Sequence, residues 1–310
     1  MPIFLVLLAA VCFGTTGTAL ALGPDEASPL GAGAVRIIVG GAILAAVVLV
    51  RRPRGPAPAA PVDRRDRAAR RVPSAALVVI GALGIVAYQP AFFLGTTRVG
   101  VAVGTVVALG SAPIFTGAFE WLITRRFPGF VWAGATAIAT GGVVLLSGGT
   151  GGAVAPDPLG IAGSLAAGAS YGVYALVAKV LIARGAESAW TMGTLFGAAA
   201  VLSIPLALST DLQWLASTEG LAVALWLGVV TTAVAYLLFG RGLVGVSAAT
   251  ASTITLAEPV TATLLGLVVL GERLSPSAVG GVCVIAAAIV VLVVPWTRLA
   301  PSRRGMGGVA

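Results

Sequence analysis

Apolar residues run along this chain in long blocks, separated by short clusters of charge, glycine and proline. The blocks fall at about 3–22, 29–50, 74–95, 99–123, 129–148, 159–182, 188–209, 219–240, 245–270 and 275–295. A helix rises about 1.5 Å per residue, so each block can cross a hydrocarbon core of about 30 Å. A membrane barrel would instead show alternating strands of about 10 residues. The pattern predicts ten transmembrane helices.

The blocks also repeat. A shift of 146 residues carries Pro113 onto Pro259, Gly134 onto Gly280, and the run 143–147 onto 289–293. Hydrophobic segments interrupted by proline or glycine at matching places in two halves point to a transporter's binding site. A five-helix unit places its second copy in the membrane upside down. The chain therefore reads as two inverted repeats, 1–148 and 159–296, joined by a flexible linker at 149–158 and followed by a basic tail at 297–310.

Composition agrees with a membrane chain. It is 58% hydrophobic and only 10% charged, against about 25% charged in soluble domains. The net charge of +8 could signal nucleic acid, but the charges sit in loops and the tail without interleaved aromatics, which disfavours that partner. Histidine is absent, so a zinc centre is not expected, and no cofactor is implied. Cys12 and Cys283 fall inside apolar blocks and read as packing residues. Ala19-Leu20-Ala21 resembles a signal-peptide cleavage site, yet the block before it lacks a charged start and is too long for a signal core.

Charge sets the orientation. With the N-terminus in the cytoplasm, loop 51–73 holds Arg51, Arg52, Arg54, Arg64, Arg65, Arg67, Arg70 and Arg71 inside. Arg125, Arg126, Lys179, Arg184, Arg241, Arg298, Arg303 and Arg304 join them, while only Arg98 and Arg273 face out. That asymmetry follows the positive-inside rule and places both termini in the cytoplasm. Loop 51–73, rich in proline and arginine, is expected to lack stable structure. It reads as an orientation determinant, with anionic lipid an additional contact.

Several stretches resemble a known family. Phe13-Gly14-Thr15-Thr16-Gly17 in the first helix, together with Arg36 in the next, resembles the drug/metabolite transporter superfamily. Helices three to five and eight to ten resemble the EamA repeat. A small-residue run leads there to Ser111-Ala112-Pro113 in one copy and to Leu256-Ala257-Glu258-Pro259 in the other. The second copy continues into Leu270-Gly271-Glu272-Arg273-Leu274 and Gly280, whereas the first has Arg125-Arg126 in place of Gly271-Glu272. The resemblance covers nearly the whole chain. It implies a secondary exporter of small metabolites such as amino acids. The high Ala, Gly, Val and Arg content suits a GC-rich bacterial genome, and hence a bacterial plasma membrane.

An ionisable side chain at the bilayer centre costs about 2.5–3.5 kcal/mol on insertion scales, so each needs a reason. Glu258 stands directly before Pro259, which removes one helical N–H and frees a carbonyl in the preceding turn. A carboxylate beside freed backbone groups suits a proton or cation, and the rival reading is a structural ion pair. Arg36 lies about 10 Å below the outer surface by helix rise. It could grip a substrate carboxylate with its planar fork, pair with Glu258, or reach outward to solvent. Glu120 and Lys179 read as interfacial side chains that reach toward water.

Tyr88 and Gln89 before Pro90, together with Tyr171, Tyr174 and Tyr236, bring polar tips into apolar blocks and are candidates to line a cavity. Pro113 and Pro259 are the expected bends. Trp226 could line the cavity or face lipid. The many glycines, including Gly193 and Gly197, read as intramolecular packing surfaces rather than dimer motifs; whether the protein is a monomer or a homodimer is open.

These groups fit alternating access, in which one repeat rocks against the other around a midplane cavity. The chain has no P-loop, which leaves proton exchange or facilitated diffusion as its drive. An intramembrane enzyme would need converging acid and base groups or a metal, and the sequence offers neither. A nucleotide-sugar or lipid translocator remains an alternative, as does a non-transporting assembly protein. Phosphate-bearing cargo, however, would want more cavity cations than Arg36 alone.

Overall fold

The computed structural model describes residues 1–50, 72–147 and 157–294. Most of loop 51–73, most of the linker and the basic tail lie outside the described residues. The described chain is helical throughout, with no strand. Its spans are α1 (Pro2–Ala21), α2 (Pro29–Val50), α3 (Ser74–Val99), α4 (Val101–Thr124), α5 (Phe130–Leu146), α6 (Pro158–Ala183), α7 (Ser188–Leu208), α8 (Thr218–Leu243), α9 (Ala248–Val269) and α10 (Pro276–Val293). All except the shorter α5 have at least 18 residues and a strongly apolar window. Only helices satisfy their own backbone in a bilayer without an edge, so length and hydropathy decided these elements.

Local chemistry moves some boundaries. α3 runs on to Val99, past the expected end near residue 95. Thr96 and Thr97 turn their hydroxyls back onto the carbonyls of Phe93 and Leu94, which keeps polar residues compatible with the helix. Gly100, at φ 83°, then ends α3 and opens α4 in a single residue. Pro158, assigned to the linker by sequence, is the first residue of α6. Asp157 caps that helix by accepting from the N–H groups of Leu159 and Gly160.

Packing pairs helices distant in sequence: α3 and α4 against α6, α2 against α7, α5 against α10, and α1 against α8 and α9. The contact faces are rich in Ala and Gly, which let helix backbones come close where lipid supplies no hydrophobic driving force. Gly193 and Gly197 pack onto α2, as intramolecular surfaces should. The main core cluster includes Val6, Leu44, Leu77, Met192, Phe239 and Leu243 and fills the end of the bundle that carries the N-terminus. Cys12 packs against that cluster. Cys283 does not, contrary to its reading as a packing residue: α10 turns Ala278, Gly281, Ile285 and Ala288 inward, and Cys283 is exposed on another face.

Two spans depart from regular α geometry near mid-depth. α8 contains a π-helical turn at Val229–Val234, where the hydroxyls of Thr231 and Thr232 both donate to the Leu227 carbonyl. Such turns frequently sit at functional sites. In α9 the helix ends at Ile254 and resumes at Ala257. The Glu258 N–H bonds the Thr255 carbonyl at 2.9 Å, a tightened turn just before Pro259. By contrast, α4 passes Pro113 without interruption. α1 is also continuous, although Thr15 and Thr16 each bond back to the carbonyl three residues earlier.

Candidate functional site

A cavity of about 590 Å³ lies between the helices. Its floor is set by Phe196, Tyr236 and Ser252, and its walls rise to Leu20, Pro29, Thr97 and Val101. Those last residues stand where α1 ends, α2 begins, and α3 gives way to α4. The cavity thus reaches one end of the bundle, while the core cluster fills the other.

Every side chain singled out by sequence as a possible substrate contact lines this one space: Arg36, Tyr88, Gln89, Tyr171, Tyr174, Tyr236 and Glu258. They come from α2, α3, α6, α8 and α9. Pro259 lines it too. Pro113 is buried within α4 and does not.

The two charges share the cavity without joining. No ion pair within 4.0 Å links Arg36 to Glu258 among the described residues, and Arg36 Nε is buried with no hydrogen-bond partner. A buried guanidinium nitrogen without a partner is expensive unless something else supplies an acceptor. Glu258 makes no side-chain hydrogen bond or ion pair within 4.0 Å among the described residues, and it stands in the turn that follows the break in α9.

Close approach fixes where Glu258 lies. Gly14 of α1 faces it: a Cβ built there would fall 2.7 Å from the Glu258 carbonyl oxygen and 2.5 Å from Thr261 Cβ. A glycine is required at this crossing. Gly33 does the same for Gln89, whose Oε1 would stand 2.6 Å from a Cβ at that position. One turn beyond Gly33 on α2 comes Arg36, so the amide and the guanidinium enter the cavity side by side.

The tyrosines divide into two kinds. Tyr171 OH lies 3.0 Å from Thr255 Oγ1, which itself donates to the Ser252 carbonyl at 2.8 Å. A hydroxyl has one proton, so Tyr171 is the donor to Thr255 and ties α6 to the break in α9. Tyr174 and Tyr236 face each other at 3.4 Å between hydroxyl oxygens. The ring of Tyr236 lies against Phe13 at 4.9 Å and Phe196 at 3.9 Å. Tyr88 differs: its ring stacks on Phe92, and its hydroxyl has no hydrogen-bond partner among the described residues.

Sequence reasoning missed the aromatic wall of Phe13, Phe92, Phe93 and Phe196, because phenylalanine in an apolar span carries no mark of facing a cavity. It also did not foresee the partners of Glu120 and Lys179, which are partly exposed: Glu120 Oε2 accepts from the Ala249 N–H at 2.8 Å, and Lys179 Nζ donates to the Leu243 carbonyl at 2.7 Å. Each meets a helix end. Trp226 faces away from the cavity, half-exposed, and donates its Nε1 hydrogen to Thr15 Oγ1.

Known proteins share this outline. A model of the EamA-like transporter family matches residues 1–148 and 158–294. An uncharacterized transporter of Bacillus subtilis (strain 168), YwfM, is 38% identical over 288 residues, which is 93% of this chain and 92% of that protein. A solved crystal structure superposes with a TM-score of 0.76, covering 96% of this chain and 98% of that one. At 19% identity it speaks for the fold alone. Two matched halves over nearly the full length, with a relative this similar, place the chain in the EamA-like transporter family.

Proposed function

We propose that the protein is a secondary transporter that exports small amphoteric metabolites, amino acids among them, by alternating access. The observation that carries this reading is the pair Arg36 and Glu258, of opposite charge, lining one cavity without pairing to each other. A molecule with both a carboxylate and an ammonium would meet a guanidinium fork and a carboxylate at once. Tyr88 and Gln89 add hydrogen-bonding groups, and the phenylalanines take an apolar side chain.

In the orientation given by the positive-inside rule, both termini are cytoplasmic and the cavity faces outward. The two five-helix units are inverted repeats, and rocking one against the other exposes the cavity to the cytoplasm in turn. Glu258 carries the coupling proton: a carboxyl that releases its proton on one side and accepts one on the other exchanges it against substrate. Arg36 is the only basic side chain lining the cavity among the described residues, which favours carboxylate-bearing cargo over nucleotide sugars.

The test is counterflow in proteoliposomes with a panel of labelled amino acids, with and without an imposed pH gradient. Wild type should accumulate at least one substrate in a gradient-dependent manner, and Glu258→Gln should keep exchange but lose the response to pH. Transport by Glu258→Gln with unchanged pH dependence would make Glu258 structural. No movement of any panel member by wild type would remove the amino-acid reading.

A further inference from the structure

Two charged side chains that the cavity does not use, Glu120 and Lys179, meet at the other end of the bundle. Glu120, in the last turns of α4, accepts from the Ala249 N–H in the first turn of α9. Lys179 of α6 donates to the carbonyl of Leu243, the last residue of α8. Between these two backbone groups lies only the turn that joins α8 to α9, closed by Ser247, whose hydroxyl caps α9 at Thr250 N–H. A helix carries about half a positive charge at its start and half a negative charge at its end. Each ionised side chain therefore grips the helix end of opposite sign.

The grip extends along one half of α9. Trp132 of α5 donates its Nε1 hydrogen to the Ala249 carbonyl at 3.1 Å, and Thr136 of α5 shares a hydrogen bond of 2.8 Å with Thr253. Beyond Thr253 the helix breaks at Thr255 and Leu256. The far half of α9 packs on α1 and lines the cavity. The break thus divides α9 into a half held at the sealed end and a half that borders the open space.

We propose that Glu120 and Lys179 form a latch that holds the inner end of the transport path shut by clamping both ends of the α8–α9 turn. This rests on the alternating-access reading of the cavity. For the sealed end to open, α4, α5 and the α6 that packs on α4 must part from the α8–α9 turn, and both charges then lose their helix ends together. A partly buried ionised group that loses its partner is costly until water replaces it, so the latch releases as water enters. That makes the opening all-or-none rather than gradual, and it couples two charges from different parts of the chain to a single hinge. Glu120 and Lys179 are positioning residues here; neither touches cargo.

Thiol accessibility in oriented membrane vesicles tests this without any substrate. In a Cys12→Ala, Cys283→Ala background, Ile254→Cys reports the sealed end and Thr97→Cys the cavity rim. Ile254 is fully buried just before the break and Thr97 is exposed. A membrane-impermeant maleimide should label Thr97→Cys readily and Ile254→Cys slowly. Glu120→Ala and Lys179→Met should each speed labelling of Ile254→Cys, from the face carrying the α8–α9 turn, by roughly five- to tenfold. Labelling of Thr97→Cys should fall in step. Lys179→Arg, which keeps a cationic donor, should restore protection.

Unchanged labelling at Ile254→Cys in both variants overturns the latch. So does faster labelling at both reporters together, which is the signature of unfolding rather than switching. A chain that switches accessibility as expected but moves no labelled amino acid keeps the latch and loses the substrate reading. A chain that transports normally with no change at Ile254→Cys does the reverse.

Discussion

Arg36 and Glu258 border the cavity and Glu120 and Lys179 stand at the closed end of the bundle, and the protein treats the two pairs differently. Glu120 and Lys179 are answered by backbone groups at 2.8 Å and 2.7 Å. Arg36 and Glu258 are left facing a cavity, with the Arg36 Nε buried and unpartnered. All four lose at least part of their contact with water. Where the fold supplies a backbone partner, a charge holds helices together; where it leaves a guanidinium nitrogen without one beside a cavity, a ligand can supply it. The presence of a charge in a membrane span says that it has a role, and its hydrogen bonds say which role.

The largest expected effect separates those roles directly. Arg36→Met should reduce transport roughly thirtyfold or more, as loss of a desolvated charge contact does, while changing unfolding stability in detergent by less than about 1 kcal/mol. Glu120→Leu should instead cost about 1–3 kcal/mol of stability, because the Ala249 N–H is left buried and unsatisfied. Initial-rate transport and thermal unfolding measured on the same preparations decide it. If both substitutions shift both readouts equally, the distinction between supplied and withheld partners fails.

A smaller effect sharpens the position of Glu258. Gly14→Val places methyl groups against the Glu258 carbonyl and Thr261, which forces the outer half of α9 away from α1. Overpacking of this kind costs about 1–3 kcal/mol. Transport should decline several-fold with it, and Gly141→Val in α5, which has open space around its Cβ and does not line the cavity, serves as the control.

The smallest effect belongs to the exposed charge pair at the opposite end of the molecule from the latch. Arg98 donates to Asp157 at 3.0 Å, and with the N–H of Leu159 it holds that carboxyl below its usual range. A depressed carboxyl contributes stability above its unfolded pKa and loses that contribution as pH falls through the lowered folded value. Asp157→Asn should therefore unfold slightly earlier than wild type near neutral pH, and the difference should vanish as pH is carried down through the carboxylate range. Melting curves across that range check the sign. A difference that grows in acid contradicts it.

The two prolines show how matching positions in a repeat diverge. Pro113 and Pro259 occupy equivalent places 146 residues apart and read from sequence as matching bends. α9 breaks four residues before Pro259, while α4 continues through Pro113. Proline removes a donor in both, but only at Pro259 do threonines at 253 and 255, a glutamate beside it, and Tyr171 offer the loosened turn other partners. Proline marks a place where a helix can break, and its neighbours decide whether it does.

Much of this protein follows from local chemistry. The spans were legible because a bilayer obliges each segment to satisfy its own backbone, so length and hydropathy suffice to find them. The cavity residues were legible because polar tips in apolar spans need a reason, and that holds wherever the helices later pack. Two things were out of reach. Phe13, Phe92, Phe93 and Phe196 are indistinguishable in sequence whether they face lipid, core or cavity. Glu120 and Lys179 carry the same charge whether they reach for water or clamp a turn, and their partners lie 129 and 64 residues away. The sequence by itself determined which segments cross the membrane and which of their side chains demand compensation. Only the tertiary structure decided which received it from the protein, because a hydrogen bond depends on which helix ends arrive within about 3 Å, and that is settled by packing between distant parts of the chain.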